Sequence, residues 1–493
     1  MKNSLSPNRE EKASGDDKQN LQDLLPRYGT IIAEYAGEGT LRLNDKLETK
    51  CQFRAVQIAN GLVLLMCNFT SKNDELISEF LKCTSFKHFA GNTLEGYETQ
   101  AETSAQIVRR SIEEISGNCQ LIFLPYKLYI NIDKHKTANK IRFGLTNFEF
   151  FGTDEVEMIE DSGRAKSVSW SALQLDLKGE KVYIKQVDNY ENEIGQIKAS
   201  RDVGVTCEAS VAIMVSKDID TIKNNIGNLC DLISIARTKI QWIYYDLLEN
   251  DVLISKVHEL RMARKYNALP IISMMGSAGK EVKAFLETTY PIYAERRDPY
   301  RLHEGTIDAY LDAKGGSDLA EMRGAKLVVS MERLKALFLE LQKSHTDECE
   351  HITEYIINED DFEGLLPEIK KSLSSILKNN GFDKEVRGEI YSNLRCMNRI
   401  SFMDLLKMLC KDINLTLSER ELRLFIKSRN KLVHIGQFYC DVATAKERKS
   451  CAPLSDNYEE YRFLINVLDR VFLKLIGYNG PYINYLTGNK ENI

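Results

Sequence analysis

The chain is poor in several features that would place it in a specialised class of protein. Only 9 of its 493 residues are proline and 28 are glycine, which excludes collagen-like and low-complexity chains. The longest apolar runs, 62–67 and 211–215, are far too short to span a bilayer. The stretch from Met1 to Leu25 lacks an apolar secretory segment, so we expect a cytoplasmic protein without membrane contact.

The chain also lacks an excess of positive charge. It has 66 Lys and Arg against 72 Asp and Glu, for a formal net charge of −6. A polycation that binds nucleic acid over its whole surface is therefore excluded. Any contact with nucleic acid must come from a local basic patch.

The cysteines lack the spacing of a disulfide framework or a zinc ribbon. There are 11 of them, scattered along the chain, and no two have CxxC spacing. We therefore expect free, buried thiols, as is usual in a reducing compartment. His345, Cys349 and His351 leave a zinc site as a minor alternative, but we predict no metal and no cofactor.

The patterns along the chain predict an α+β protein in four parts. Residues 1–26 are too polar to form a core and are predicted to be a disordered tail. Residues 27–217 are rich in short β segments, residues 218–316 form a mixed helical connector, and residues 317–493 form an all-α bundle.

Many short strands separated by turn residues suggest a sandwich or a barrel-like sheet in the β-rich part. One segment, 101–115, is predicted to be an inserted helix. The predicted strand segments are 29–34, 40–43, 52–58, 62–68, 120–132, 140–151, 167–177, 181–186 and 206–215.

Apolar residues at helical spacing and capping residues define the bundle. The first helix is predicted to begin at Ser317 or Asp318 and to bury Leu327, Met331, Leu334, Phe338 and Leu341. A second is expected to have Pro367 in its first turn, and a third to follow a cap formed by Ser401 and Asp404. The last two are predicted at 417–435 and at 456–476, the latter ending at Gly477.

The helix at 417–435 has the most informative pattern. On a helical wheel, a buried stripe is predicted to contain Leu422, Phe425, Ile426, Val433 and Gly436. Arg429 falls in the middle of this stripe. A guanidinium there needs a partner carboxylate, a subunit interface or a ligand anion.

A polar ridge lies beside that stripe. Arg423, Lys427, Asn430 and His434 follow one another at spacings of 4, 3 and 4 residues. Between Thr416 and Ser450 there are eight Lys or Arg and four Asp or Glu, so this segment carries a net charge of +4. The local basic patch is predicted here.

The segment from Arg429 to His434 reads Arg-Asn-Lys-Leu-Val-His, and it resembles the R-[N/D/H]-x3-H motif of HEPN domains. Its position in the penultimate long helix of a bundle is also typical of that family. The segments 476–484 and 144–151 resemble the ApeA-like group, in which a β-rich domain precedes the HEPN bundle.

The resemblance implies a metal-independent endoribonuclease that acts in antiviral defence by abortive infection. In such a reaction the 2′-hydroxyl of the RNA attacks its own phosphate and leaves a 2′,3′-cyclic phosphate and a 5′-hydroxyl. His434 would take the proton, Arg429 would bind phosphate oxygens, and Asn430 would donate to the phosphate or orient the histidine. Arg423, Lys427 and Lys431 would steer RNA, with Glu332 as a supporting residue.

The partners follow from the same resemblance and from the helix geometry. Arg429 and His434 lie about 140° apart on a straight helix, so one copy does not bring them together. We therefore expect a homodimer with one composite site across a two-fold axis. RNA, with tRNA as one candidate, is the expected substrate, and the N-terminal domain is expected to sense a phage-derived trigger or to restrain the nuclease.

Other interpretations remain open for the same residues. His434 could simply interact with the end of its helix, Arg429 could be a core residue paired with Glu332, and the lysines could form a solvated face. The chain as a whole could be a non-catalytic module that binds RNA or protein. It could also be a β-sandwich that binds carbohydrate or nucleotide and carries an incidental helical tail.

Overall fold

The structure is a computed structural model. It describes residues 30–44, 48–71, 77–78, 81–82, 84–102, 106–113, 117–151, 154–160, 163–169, 171–214, 218–265, 269–273, 280–315, 318–344 and 355–493. The predicted tail at 1–26, the zinc alternative at His345, Cys349 and His351, and the proposed capping residue Ser317 lie outside the described residues.

The chain is an α+β protein, as predicted, and forms two compact units. The division lies between Pro291 and Ile292. The sequence patterns instead placed boundaries at 217 and 316. The difference arises because strands at 242–249 and 252–259 pair with strands of the N-terminal sheet, so the predicted connector contributes to that sheet.

The N-terminal unit is built on one antiparallel sheet of 14 strands. Their order across the sheet is β12-β13-β14-β9-β15-β16-β8-β5-β4-β1-β2-β3-β7-β6. The strands of this unit are β1 (Ile31–Arg42), β2 (Glu48–Ile58), β3 (Val63–Thr70), β4 (His88–Thr93), β5 (Glu98–Ala101), β6 (Gln106–Glu113), β7 (Asn118–Leu124), β8 (Lys127–Asn131), β9 (Lys140–Thr146), β10 (Asp154–Glu160), β11 (Gly163–Ser169), β12 (Ala172–Leu177), β13 (Glu180–Gln186), β14 (Val205–Ala212), β15 (Trp242–Glu249) and β16 (Val252–Glu259). β10 and β11 form a separate hairpin.

The prediction of a helix at 101–115 is wrong. Gln106–Glu113 is the strand β6, which pairs with β7 at the edge of the sheet. Ile107 and Ile112 pack against the buried core formed by the neighbouring strands. This tertiary contact, together with pairing along a whole strand, outweighs the local preference for helix.

The strand β1 joins two segments that were predicted as separate strands. Gly37 and Gly39 lie between those segments, and both are paired in the sheet. A Cβ at Gly37 would lie 2.0 Å from the carbonyl oxygen of Asn92, so the neighbouring strand approaches too closely for a side chain. The glycines therefore allow β1 and β4 to pair closely rather than ending the strand.

Most of the helices belong to the C-terminal unit. In chain order, the helices of both units are α1 (Tyr190–Ser200), α2 (Ile219–Ala236), α3 (Lys280–Arg296), α4 (Ile307–Gly315), α5 (Ala320–Ser344), α6 (Glu359–Asn379), α7 (Lys384–Asn393), α8 (Phe402–Asp412), α9 (Glu419–His434), α10 (Tyr439–Val442), α11 (Ala445–Ser450) and α12 (Asn457–Leu475). A π-helical turn (Leu302–Thr306), a 3₁₀ turn (Leu394–Asn398) and a small hairpin of β17 (Pro481–Ile483) and β18 (Lys490–Asn492) belong to the C-terminal unit.

Most helix predictions in the C-terminal unit are confirmed. The α5 seam is buried at Leu327, Met331, Leu334 and Phe338. Ser401 caps α8 by accepting from the backbone N–H of Asp404. Asp456 caps α12, and Gly477, with a positive φ of 78°, follows its end. These caps satisfy backbone groups that the helix itself leaves unpaired.

The placement of Pro367 in the first turn of its helix is wrong. α6 begins earlier, with Asn358 as the cap that accepts from the backbone N–H of Asp360. Three acidic residues follow in the first turn, Glu359, Asp360 and Asp361. Negative charge is favourable at this end of a helix, so this start is well defined even though a proline lies further along.

Candidate functional site

The predicted site lies on α9, which has a well-defined beginning and end. The Ser418 side chain accepts from the backbone N–H of Glu421, and the Glu421 side chain accepts from the backbone N–H of Ser418. This reciprocal pair is a capping box. The helix ends at His434, and Gly436 follows with a positive φ of 74°.

The buried face of α9 differs from the predicted stripe. Leu422 and Phe425 are buried as predicted, and Leu424, Ser428 and Leu432 are buried too, whereas Val433 is 49% exposed. Gly436, which the prediction also placed in the stripe, is exposed.

The misplacement has a geometric cause. Leu432 and Val433 are consecutive and therefore point about 100° apart, so only one of them can face the neighbouring helices. In the structure Leu432 does so, and the centre of the buried face is rotated toward Phe425. Arg429 consequently lies at the border of that face rather than in its middle.

Arg429 is held by a carboxylate on the neighbouring helix α5. Its Nε donates to Glu332 Oε1 at 2.7 Å, and its Nη2 lies 2.5 Å from the same oxygen in an ion pair. Its Nη1 donates to Asn430 Oδ1 at 2.8 Å. The two charged side chains are 23% and 27% exposed. The sequence interpretation of Glu332 as a partner carboxylate is therefore confirmed, and the guanidinium keeps some access to solvent.

Two further residues complete the surroundings of Arg429. Lys335 Nζ donates to Glu332 Oε2 at 2.8 Å. The Lys335 ammonium and the Arg429 guanidinium lie 4.8 and 5.2 Å from the centre of the Phe402 ring. Cations near an aromatic face are attracted to it, so Phe402 helps to position both side chains. We call Glu332, Lys335, Phe402, Arg429 and Asn430 the arginine cluster.

The electrostatics of the arginine cluster keep Glu332 ionised. Its partial burial alone would raise the pKa of the carboxyl group. The hydrogen bonds and positive charges of Lys335 and Arg429 outweigh that effect, so the pKa of Glu332 lies below its ordinary value. The cluster therefore contains one carboxylate and two cations and has a net positive charge.

His434 lies outside this cluster. Its side chain is exposed at the end of α9, and it has no hydrogen bond or ion pair with another residue in the described part of the chain. α9 is continuous from Arg429 to His434, so the angle of about 140° between them is retained. The structure thus brings Arg429, Asn430 and Glu332 together, but it does not add His434 to them.

The predicted RNA-steering residues have three different environments. Lys431 forms an ion pair with Glu447 at 3.1 Å, and Arg423 lies 3.9 Å from Glu419 in an exposed position. Lys427 is half-buried and has no polar partner among the described residues. The backbone N–H of Thr444 and the charge of Lys431 hold the pKa of Glu447 at about 2. Lys431 is therefore neutralised locally, and of the three predicted residues Lys427 is the one without an ion-pair partner among the described residues.

The sequence patterns did not single out Lys335 and Phe402. The sequence could have pointed to both residues. Lys335 lies three residues after Glu332 on one helix, and Phe402 directly follows the predicted cap Ser401. The contact between α8, α5 and α9, which brings them together, has no local signal. Of the nine described cysteines, which are all free, only Cys396 is exposed, in agreement with the predicted buried thiols.

No protein-family model, curated protein or solved structure matches the chain. In the described residues no helix combines the length and the apolar character needed to cross a bilayer. The same residues contain no group of three or more His, Cys, Asp or Glu side chains arranged to hold a metal ion.

Proposed function

We propose that the chain is a cytoplasmic, metal-independent endoribonuclease whose C-terminal unit is a HEPN bundle. The N-terminal sheet would then be the sandwich-like, ApeA-type domain that accompanies it. The observation that carries this proposal is the arrangement on α9. Arg429 and Asn430 are hydrogen-bonded to each other, and Arg429 lies at the border of the buried face of α9. His434 lies about one and a half turns further along the helix, exposed and without a polar partner among the described residues.

Each of these side chains suits its role in cleavage by the 2′-hydroxyl. A solvent-accessible imidazole can take and return a proton near neutral pH. A guanidinium remains charged and can bind two phosphate oxygens at once. Lys427 supplies a further positive charge on the same helix for the RNA backbone.

Homodimerisation would complete this site. Val433 and Ile435, the neighbours of His434, are 49% and 54% exposed. A two-fold contact at this end of α9 would bury these apolar side chains and bring two copies of His434 close to each other. Val433, which was wrongly predicted to lie in the core of one copy, thus has a use at an interface between copies.

The N-terminal unit is proposed to regulate the nuclease, with a phage-derived component as the trigger in antiviral defence. A deletion of residues 1–217 is a poor test, because β15 pairs with β9 and would lose its partner. Deletion of residues 1–279 removes all of the sheet. If the toxicity of residues 280–493 in cells equals that of the whole chain, the regulatory role is wrong.

RNA sequencing in cells tests the activity itself. Wild-type protein, His434→Ala and the control His135→Ala would be induced, and new RNA 5′ ends would be mapped. His135 is exposed in the N-terminal unit, so its loss should leave cleavage unchanged. New 5′ ends that are absent only from His434→Ala support the nuclease, whereas equal patterns in all three strains would refute it.

A non-catalytic binding module is the second candidate, and one observation favours it. Arg429 and Lys431 are both engaged by carboxylates of this chain, Glu332 and Glu447. Such pairing is what a purely structural role would require. Under this alternative, RNA would bind to the purified chain without being cut.

A further inference from the structure

A continuous row of polar side chains crosses one face of the N-terminal sheet. Seven residues on neighbouring strands lie directly opposite one another in the registers of β5, β4, β1, β2, β3, β7 and β6. In that order they are Glu98, Asn92, Glu38, Gln52, Asn68, Gln120 and Ser111. Residues directly opposite each other share a face of the sheet, so the seven form one line, which we call the polar row.

The opposite face of the same strands is the protein core. Phe53, Cys67 and Leu121, which are next to members of the polar row in sequence, are buried. This alternation fixes the register, because a slip by one residue would expose the core and bury the amides. The polar row is therefore held in place by the packing beneath it.

The polar row lines a wide, partly open cleft. The cleft has a volume of about 950 Å³, near the upper end of the usual range for ligand sites. A second line of polar residues, including Thr40, Lys50 and Thr70, forms part of the same wall. Gly39 and Gly91 are paired beside the cleft, and a Cβ at Gly91 would lie 2.6 Å from the carbonyl oxygen of Glu38. Such glycines permit a close approach and a bend of the strands.

The cleft has unused hydrogen-bonding capacity. Gln52, Asn92 and Glu38 have no side-chain hydrogen bond to any other described residue. Gln120 donates to Asn68 at 3.1 Å, which still leaves amide donors and acceptors on both side chains. A ligand with many groups that both donate and accept would match this wall.

The charge and the lining exclude several classes of ligand. Glu38 and Glu98 balance Lys50 and Arg109, so the wall has no excess of positive charge for a polyanion. The only aromatic residue among the lining residues is Phe69, which is 6% exposed and offers no surface on which a base could stack. Nucleic acids are therefore disfavoured, and so are apolar ligands.

The distance between neighbouring residues of the polar row distinguishes between two remaining classes of ligand, glycans and peptides. Neighbouring strands lie about 4.8 Å apart, which is roughly the length of one pyranose unit in a linear glycan. An extended peptide advances about 3.4 Å per residue, so its polar groups would lose register with the row after a few residues. We propose that the cleft binds a linear, uncharged oligosaccharide that lies across the strands, with its hydroxyl groups bonded to the polar row.

Calorimetric titration of the whole chain with a panel of uncharged hexasaccharides tests this proposal. The probes are linked α-1,4 and β-1,4 glucose units and β-1,4 N-acetylglucosamine units. Binding of at least one probe with a dissociation constant of about 10 mM or lower is expected, and Gln52→Ala should weaken it about tenfold, as loss of one hydrogen bond does. The matched control, Gln196→Ala on the exposed face of α1, should leave the affinity unchanged.

Three results would overturn the proposal. They are the absence of binding for every probe, an affinity that Gln52→Ala leaves unchanged, and binding of polar peptides in place of the glycans. Unchanged tryptophan fluorescence of Gln52→Ala would show that the unit remains folded. The inference does not depend on the nuclease, because RNA cleavage without glycan should be equal in wild type and Gln52→Ala.

Discussion

The ion pair between Glu332 and Arg429 should couple α5 to α9 by a measurable free energy. Its two N–O distances are 2.7 and 2.5 Å, and both side chains are about three-quarters buried. Exposed ion pairs contribute about 0.2–1 kcal/mol, and hydrogen bonds to charged groups about 1.5–3 kcal/mol. The pair is partly buried and includes a hydrogen bond between charged groups, so its contribution should lie between these two ranges. We expect a coupling energy of about 1.5 kcal/mol in the free energy of unfolding.

A double-mutant cycle measures this coupling. The variants are Glu332→Ala, Arg429→Ala and the combination of both. We expect each single variant to lose about 2 kcal/mol, and the double variant to lose clearly less than the sum, since the second change removes a group that has already lost its partner. Asn430 and Lys335 keep part of the surroundings in place.

Urea unfolding followed by two signals gives the assay its internal control. The chain has two tryptophans, Trp170 and Trp242, and both precede residue 292 in the sequence, where the C-terminal unit begins. Far-UV circular dichroism is dominated by the helices, most of which lie in the C-terminal unit. The variants should therefore shift the dichroism transition and leave the tryptophan transition unchanged.

The pH dependence of the coupling provides a second check. Because the pKa of Glu332 is lower in the folded chain, its contribution to stability is complete above the unfolded value of about 4.3 and is lost as the pH falls through the folded value. The coupling should therefore vanish in strong acid. A coupling below about 0.3 kcal/mol at neutral pH would refute the reasoning, because that is the error of additivity for independent sites.

Three other changes have expected outcomes. Lys314 and Asp469 form a fully buried ion pair at 3.0 Å. Lys314→Met would leave the Asp469 carboxylate buried without its partner, so the C-terminal unit should lose about 3–5 kcal/mol of stability in unfolding followed by circular dichroism. A loss below about 1 kcal/mol would contradict this. His258 is buried, which lowers its pKa to about 3. As the pH falls below roughly 6, the unfolded chain takes up a proton that the folded chain does not, so the stability of the N-terminal unit should fall by about 1.4 kcal/mol per pH unit. Unfolding followed by tryptophan fluorescence measures this slope, and His258→Gln should remove it. If the exposed Val433 lies at an interface between copies, Val433→Asp should weaken self-association at least about tenfold in sedimentation experiments. The control Ile376→Asp, at a similarly exposed position on α6, should leave self-association unchanged.

Helix positions in the C-terminal unit were the most predictable part of the fold. The caps at Ser401 and Asp456 and the end at Gly477 are local signals, and the residues that form them lie within a few positions of each other. A helix cap or a helix end depends only on residues close together in the sequence, so the sequence alone is enough to predict it.

The strands were less predictable because their partners are distant in sequence. Gln106–Glu113 becomes a strand only when β7 is beside it, and β15 belongs to the sheet only through its pairing with β9. No local pattern shows those partners. The two strands inside the predicted connector at 218–316 were missed for the same reason.

The candidate site was predictable in its residues but not in its geometry. The pairing of Arg429 with Glu332 follows from the cost of an unpaired charge on a helix face that packs against a neighbour. The orientation of α9 was misjudged because two consecutive apolar residues, Leu432 and Val433, gave two possible faces. Only the packing of α9 against α5 and α8 decides between them.

The most direct test of the proposed nuclease is the chemistry of the RNA ends produced by the purified whole chain in the presence of a metal chelator. Wild type and the control His135→Ala should both yield fragments with 2′,3′-cyclic phosphate and 5′-hydroxyl ends. His434→Ala should lose at least about a hundredfold in cleavage, in line with the removal of a general acid–base group. Intact RNA with wild type, 5′-phosphate ends, or undiminished cleavage by His434→Ala would contradict the proposed nuclease.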